Sequence, residues 1–360
     1  MPSGILLVIG IAALIYGAEL LVRNASRLAA MFGLSPLVIG LTIVAFGTSA
    51  PELAIAAAGA LSNHADTSLG NAVGSNIFNI FFVLGLVSIF SPLGVKKQII
   101  KLDAPIMVGA SLLFYYFIFD GVLTKSESAV LMALLVAYTS FTFFISKREN
   151  SAAREVQSAD EQATRPAGTR PWLSAVLIVV GIVLLALGSD WTVTAATAMA
   201  RTFGVSELVI GLTIVAIGTS LPELVTSLVA IRNREHDMAV GNIVGSCIFN
   251  ILAVVPVMSL FASGDITISS AALTFDIPIL LAAAIVSLPI FFTGYRISRW
   301  EGVLFLFWYL AYIAYVFLHT AEQEMLQSFE RALVTIILPA TVITLIVITW
   351  RSLKKEHFTS

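Results

Sequence analysis

Eleven apolar runs, each long enough to cross a membrane, limit the fold of this chain more than any other feature. About 20 mostly apolar residues span the hydrocarbon core as an α-helix. Backbone N–H and C=O groups in hydrocarbon must find partners inside the protein, and helices provide them within each run. The runs predict an all-α polytopic membrane protein with spans near 4–22, 34–61, 69–91, 103–120, 127–146, 172–198, 206–231, 239–261, 273–293, 301–318 and 331–350.

Composition excludes several other classes of protein. Of the 360 residues, 58% are hydrophobic and 12% are charged, about half the charged share of soluble domains. A soluble enzyme is therefore not expected, and the net charge of −2 gives no support for nucleic-acid binding. The one cysteine, Cys247, cannot form an internal disulfide.

The distribution of Lys and Arg predicts the orientation of the chain. If the N-terminus lies outside, the predicted cytoplasmic segments contain 17 of the 20 basic residues and the outer segments contain three. Cytoplasmic loops carry such an excess. We therefore expect a multi-pass protein of the cell (inner) membrane with its N-terminus outside and its C-terminus in the cytoplasm.

An internal repeat divides the chain into two membrane halves. Residues 38–80 align without gaps to residues 209–251, and 24 of the 43 positions are identical. An offset of 171 residues carries the chain through five predicted spans, so the two copies face opposite ways. Inverted repeats with Gly- and Pro-interrupted helices indicate a secondary transporter with a site near the bilayer midplane.

The same reasoning predicts the domain boundaries. The first membrane half covers 1–146, and the second covers 172–318. The polar stretch 147–171 between them is expected to be a cytoplasmic linker. Residues 319–360 would add an eleventh span and a cytoplasmic tail.

Each repeat places the same polar side chains in its apolar runs. Glu52 and Glu223 lie near the middle of such runs, where an ionised group usually faces a cavity or a partner. Pro51 and Pro222 lack the N–H that a helix needs, so nearby carbonyls become available. The remaining polar positions are Thr48, Ser49, Ser75 and Asn79 in the first repeat, and Thr219, Ser220, Ser246 and Asn250 in the second.

Carboxylates, hydroxyls, carboxamides and carbonyls together make an all-oxygen site. Ca²⁺ takes six to eight oxygen ligands, and we expect Na⁺ to suit the same donors. No span is predicted to contain His, which disfavours metals that prefer imidazole or thiolate. Two carboxylates neutralise one divalent or two monovalent cations, so one site can serve both in turn.

Two alternatives are open for the polar residues other than glutamate. Ser75 and Ser246 could instead bond back to their own helices, and Asn79 and Asn250 could join helices together. The glycine pairs Gly70/Gly74 and Gly241/Gly245 are expected to allow close helix packing.

Acidic residues outside the motifs are expected to be structural. Glu19 can pair with Arg23 at i+4. Asp103 and Asp276 are expected to begin their helices, where a negative charge suits the helix dipole.

The paired motifs GTSxPEL and GNxVGSxIFN resemble the α-repeats of the sodium/calcium exchanger (calcium/cation antiporter) family, most closely its prokaryotic calcium/sodium antiporters. The resemblance covers roughly 1–318. It implies a fold of 5+5 inverted-repeat helices, with the polar residues above as ion ligands around Glu52 and Glu223. It also implies sodium ligation by the carbonyls of Ala45 and Ala216, and alternating access by sliding of spans 1 and 6. Many family members have Asp at one of the positions held here by Asn79 and Asn250.

The leading functional hypothesis is a secondary active antiporter that exchanges Ca²⁺ against Na⁺. A proton-coupled cation antiporter is the alternative, because a midplane carboxylate can carry a proton; a cation channel is less favoured. The chain is not expected to be an enzyme or to hold a cofactor: it has no P-loop motif, and a hydrolase would need a nucleophile with a base. Its partners would be inorganic cations and the lipid bilayer.

Overall fold

Helices make up most of the chain in the computed structural model. It describes residues 3–62, 65–156, 171–205, 216–321 and 338–357, and the isolated positions 210, 213, 214, 326, 331, 333 and 335. The α-helices are α1 (Ser3–Phe32), α2 (Pro36–Ile39), α3 (Ala45–Thr48), α4 (Ala50–Leu61), α5 (Ala65–Ile77), α6 (Leu84–Phe90), α7 (Ala104–Phe117), α8 (Lys125–Val156), α9 (Pro171–Thr202), α10 (Ala216–Gly218), α11 (Leu221–Arg232), α12 (His236–Phe249), α13 (Val255–Phe261), α14 (Ile277–Phe292), α15 (Arg299–Ala321) and α16 (Leu338–His357).

Several α-helices continue into one another through π-helical turns, in which the hydrogen bonds run from i to i+5. These turns are Gly40–Val44, Phe78–Val83, Ile99–Asp103, Asn250–Val254 and Ala272–Asp276. The turns at Phe78 and Asn250 follow the same motif in the two repeats. The turns at Ile99 and Ala272 also correspond, so the two halves share these local irregularities as well as their sequence.

Eight helices in the described ranges are long and apolar enough to cross a membrane, and a ninth span is formed by Pro36–Thr48 and Ala50–Leu61, bent by 43°. The predicted spans 206–231 and 331–350 include residues outside the described ranges, so the number eleven remains a prediction. The linker 147–171 also lies largely outside them, although α8 continues to Val156.

Two short antiparallel strand pairs join the membrane halves to each other. β1 (Leu93–Gly94) pairs with β4 (Arg296–Ile297), and β2 (Val122–Leu123) pairs with β3 (Ile266–Thr267). Each pair connects the loop after the third span of one half to the loop after the fourth span of the other. The two halves are therefore tied together in a related way at two places.

The helices α1 and α9, which begin the two halves, cross at glycines. A Cβ atom on Gly17 would lie 2.8 Å from the carbonyl oxygen of Gly181, and one on Gly188 would lie 2.8 Å from that of Gly10. Any larger residue there would contact backbone, which has little room to move. The glycines therefore permit the close approach that holds α1 against α9.

The first helix is longer than the sequence predicted. The run 4–22 ends at a charged residue, but α1 continues to Phe32 because Arg23 and the residues after it are compatible with a helix. The expected ion pair between Glu19 and Arg23 is present and supports this continuation.

Asp103 and Asp276 directly precede α7 and α14, as expected, but neither caps its helix with a side-chain hydrogen bond. Each lies at the end of a π-helical turn inside a continuous helix. Their carboxylates accept hydrogen bonds from the hydroxyls of Tyr138 and Tyr312, both at 3.1 Å. These interhelical bonds give the two carboxylates partners that the sequence did not indicate.

The spans that carry the second motif lie at the centre of the molecule. In Ser68–Phe90 and His236–Phe261, other parts of the protein bury 72% and 89% of the apolar stretch of the helix. These shares are larger than in the other long spans. The close packing predicted for Gly241 and Gly245 is confirmed: a Cβ on either would lie 2.7 Å from the carbonyl of Leu37 or Leu41. The same prediction for Gly70 and Gly74 is not met by the described residues, because a Cβ on either would have nothing within 4 Å. The polar motif residues are therefore enclosed by protein rather than by lipid.

Candidate functional site

The helix break in each repeat brings a glutamate to the start of a half-helix. Ser49 and Ser220 leave helical geometry in the same way, with φ/ψ of −82°/7° and −92°/8°. Glu52 and Glu223 follow in the first turns of α4 and α11. Proline in each first turn lacks the N–H that would continue the preceding helix, so the break and the position of the glutamate have one local cause.

One carbonyl next to a break bonds to a neighbouring span. Pro222 provides no N–H for the carbonyl of Gly218, and the Ser189 hydroxyl of α9 donates to that oxygen at 2.5 Å. The sequence predicts that carbonyls freed by proline are available as ion ligands; this one instead accepts from a serine of a neighbouring span. Here that carbonyl links α9 to the broken helix.

The two repeats exchange serine–glutamate contacts. The Ser49 hydroxyl donates to Glu223 Oε1 at 3.2 Å, and the Ser220 hydroxyl donates to Glu52 Oε1 at 3.5 Å. Ser75 also donates to Glu52 Oε1 at 3.4 Å and lies 3.0 Å from the Ser220 hydroxyl. Each carboxylate is therefore oriented by a residue from the opposite repeat, and the two glutamates belong to one site.

Two asparagines that the sequence reasoning missed support the threonines. Thr48 donates to Asn242 Oδ1 at 3.1 Å, and Thr219 donates to Asn71 Oδ1 at 3.0 Å. Thr48 also lies 3.3 Å from the Ser246 hydroxyl. Asn71 and Asn242 occupy the same position, after Gly in GNxVGS, so their identity in the two repeats was the available signal.

Four buried oxygens at the site have no hydrogen-bond partner among the described residues. They are Glu52 Oε2, Glu223 Oε2, Asn79 Oδ1 and Asn250 Oδ1, on side chains that are all 0% exposed. Buried polar atoms are nearly always hydrogen-bonded, and an exception is often explained by an ion or water. All four are acceptors, which a cation suits; Asn79 Nδ2 is the one donor on these four side chains that also lacks a partner among the described residues.

Hydrogen bonds connect the predicted serine and glutamate positions of the two repeats, whereas Asn250 bonds to Asn76 and Asn79 has no bond among the described residues. Thr48, Ser49, Ser220, Ser75 and Ser246 are buried, and Thr219 is partly buried. The Ala45 carbonyl accepts hydrogen bonds from the Ser49 N–H at 3.0 Å and the Thr48 hydroxyl at 3.2 Å. Ala216 begins α10, but its side chain lies outside the described part of the structure.

Apart from the single thiol of Cys247, the described residues of the site offer oxygen donors. Within the described residues, no three His, Cys, Asp or Glu side chains are grouped so as to hold a metal. Cys247 is buried and unpaired. The donors are oxygens, which favours hard cations.

The cover over the two half-helices is unequal. Helix α1 packs along α11, where Thr226 is 0% exposed. Ile55, which corresponds to Thr226 at the offset of 171, is 38% exposed on α4. Two related sequences thus have different surroundings.

Polar contacts join α1 to the turn between α11 and α12. The Ser26 hydroxyl donates to Glu235 Oε1 at 2.5 Å, and the Asn233 amide donates to Glu19 Oε2 at 3.4 Å. Glu19 also pairs with Arg23. We call the contacts of Ser26 with Glu235 and of Glu19 with Asn233 the α1 latch.

Comparisons with known proteins identify the family. The model of the family described as sodium/calcium exchanger protein matches residues 3–144 and 173–318. A protein named as an antiporter, CaxA from Alkalimonas amylolytica, is 39% identical over 88% of this chain and 98% of its own length. The sodium/calcium exchanger MaX1 from Methanosarcina acetivorans is 30% identical over 87% of this chain and 98% of its own length.

Solved structures agree with the sequence relatives. The sodium-calcium exchanger NCX_Mj, in a crystal soaked with zero Na⁺ and Ca²⁺, has a TM-score of 0.73 and 30% identity. The match covers 88% of this chain and all of that one. The predicted resemblance and the predicted class of inverted-repeat helical membrane proteins are confirmed. With both membrane halves matched, this chain belongs to the sodium/calcium exchanger family, whose members are membrane antiporters and not enzymes.

Proposed function

We propose that this antiporter exchanges Ca²⁺ for Na⁺ at one site shared by Glu52 and Glu223. The observation that carries the proposal is that two buried carboxylates are joined across the repeats by serine hydroxyls and that each keeps one oxygen without a protein partner. Burying two uncompensated carboxylates is costly. Cations that neutralise them remove that cost and supply partners for the free oxygens.

The donor set fits both ions. Each carboxylate lies beside serine hydroxyls, and with the proposed asparagine ligands these can complete an oxygen shell around Ca²⁺ or Na⁺. The proposed ligands are the side chains of Glu52, Glu223, Thr48, Ser49, Thr219, Ser220, Ser75, Asn79, Ser246 and Asn250, and the carbonyls of Ala45 and Ala216.

Competition at the carboxylates couples the two fluxes. The site carries two formal negative charges, so one Ca²⁺ or two Na⁺ bring it to neutrality. Adding the second ion type to a neutral buried site would place excess positive charge in a low-dielectric region. The ions therefore bind in turn, as exchange requires.

Alternating access follows from the unequal cover over α4 and α11. In the opposite state α9 would cover α4 and α1 would leave α11, since the repeats are related by inverted symmetry. With the N-terminus outside and the C-terminus in the cytoplasm, as the Lys and Arg distribution favours, the α1 latch lies at the cytoplasmic face. The state described here would then be closed to the cytoplasm.

The names of the similar proteins support Na⁺ as the coupling ion. MaX1 is named a sodium/calcium exchanger, and the NCX_Mj crystals were soaked in combinations of Na⁺, Ca²⁺ and Sr²⁺. Proton coupling is the second candidate, because a buried carboxylate can carry a proton in place of Na⁺.

The experiment is ⁴⁵Ca²⁺ uptake into vesicles containing purified protein, under an imposed Na⁺ or pH gradient. Uptake driven by Na⁺ and abolished in Glu52→Gln and Glu223→Gln is expected. Asp120→Asn, which alters an exposed acid, is the matched control and should retain uptake. Wild-type uptake in either glutamine variant would refute the site, and uptake driven only by a pH gradient would refute Na⁺ coupling.

A further inference from the structure

The motifs GSNIFN and GSCIFN differ at one position, and this difference lies inside the site. Asn76 in the first repeat corresponds to Cys247 in the second. Both side chains are 1% exposed. They come three residues before Asn79 and Asn250, the two asparagines with unpartnered oxygens.

Asn76 bonds across the interface between the repeats. Its Nδ2 donates to the backbone carbonyl of Cys247 at 3.1 Å. A carbonyl only accepts, so this contact determines which end of the Asn76 amide is nitrogen. The other end, Oδ1, must then face away from the carbonyl, and it accepts from Asn250 Nδ2 at 2.9 Å.

This relay determines the orientation of Asn250. If its amide turned over, its oxygen would face Asn76 Oδ1, and two acceptors would meet without a proton between them. Asn250 therefore holds its Nδ2 toward Asn76 and leaves its Oδ1 without a protein partner. The relay begins at a backbone carbonyl, which cannot turn over in the same way.

Asn79 has no corresponding support. Cys247 has no carboxamide and cannot build the same relay. Both Asn79 Nδ2 and Asn79 Oδ1 lack a partner among the described residues. Its amide is free to present either end, whereas that of Asn250 is not.

We propose that Asn76 is a positioning residue that makes Asn250 a fixed oxygen ligand, while Asn79 adapts to the bound ion. The two halves of the site are then unequal in spite of their matching ligands. This inference rests on the proposed cation site and adds a division of roles within it. Removing Asn250 should weaken Ca²⁺ binding more than removing Asn79, because its oxygen is oriented before the ion arrives.

The test is equilibrium ⁴⁵Ca²⁺ binding to the purified full-length protein without Na⁺. Asn76→Ala should weaken binding about fivefold, the effect of one neutral hydrogen bond. It should have no further effect when Asn250→Ala is already present, because Asn76 acts through Asn250. An equal loss in both backgrounds would overturn the proposal.

The exchange of the two residues gives a sharper result. In Asn76→Cys/Cys247→Asn the relay should form on the opposite side, so the larger loss on alanine substitution should move from Asn250 to Asn79. If Asn76 had a purely structural role, Asn250→Ala would still cause the larger loss of Ca²⁺ binding in the exchanged protein. That result would refute the inference. If the exchanged protein does not fold, the comparison of Asn76→Ala with and without Asn250→Ala tests the inference.

Failure of the inference is distinguishable from failure of the proposed function. Binding that is lost in Glu52→Gln but unaffected by Asn76→Ala would overturn the positioning role alone. Binding that is unaffected by Glu52→Gln would overturn the cation site itself.

Discussion

Breaking the α1 latch should shift the protein toward the state in which α11 is uncovered. The Ser26 hydroxyl donates to Glu235 Oε1 at 2.5 Å, and a hydrogen bond to a charged group contributes roughly 1.5–3 kcal/mol. Both residues are partly exposed, so screening reduces the expected contribution to about 1–2 kcal/mol. Glu235→Ala should therefore raise the population of the uncovered state about 5- to 30-fold.

Thiol labelling can measure this shift. Val229 on α11 is 5% exposed and packs in one cluster with residues of α1. Its counterpart on α4, Ala58, is exposed. Val229→Cys in a Cys247→Ala background, which removes the native cysteine, provides a reporter that reacts only when α1 moves away.

The expected result is faster maleimide labelling of Val229→Cys when Glu235→Ala is added. Ser26→Ala should have a similar effect, and the double variant should add little, because both changes remove one bond. Labelling of Ala58→Cys should slow at the same time, since a population leaving one state enters the other. Unchanged labelling of Val229→Cys in folded protein would refute the assignment of the latch.

Two further predictions concern packing and the support of the site. Gly17→Ala would place a Cβ 2.8 Å from the Gly181 carbonyl and should destabilise the protein by about 1–3 kcal/mol, read as a lower melting temperature in detergent. Gly4→Ala on the same helix places a Cβ with nothing within 4 Å and should not lower the melting temperature. Equal melting temperatures of the Gly17→Ala and Gly4→Ala variants would contradict the close crossing of α1 and α9. Asn242→Ala removes the carboxamide acceptor of Thr48 and leaves only the Ala45 carbonyl and the Ser246 hydroxyl to orient its hydroxyl. It should reduce Ca²⁺ binding about fivefold; unaltered binding would show that Thr48 does not need this support.

The sequence was sufficient for the fold class, the repeat and the glutamates. Apolar runs of spanning length are local properties, and the requirement for internal backbone hydrogen bonding converts them into helices. The identity of GTSxPEL in both halves marked Glu52 and Glu223 directly. Even the breaks at Ser49 and Ser220 could be anticipated, because proline acts on its own turn.

Only the tertiary structure decided which side chains meet. The sequence does not say that Ser49 contacts the glutamate of the other repeat, or that Asn76 turns Asn250, because such contacts join residues more than 170 positions apart. Nor can two matching half-helices reveal which of them is covered. Because α4 and α11 carry similar motifs, their sequences do not indicate which of them is covered. That depends on where α1 and α9 lie in the folded protein.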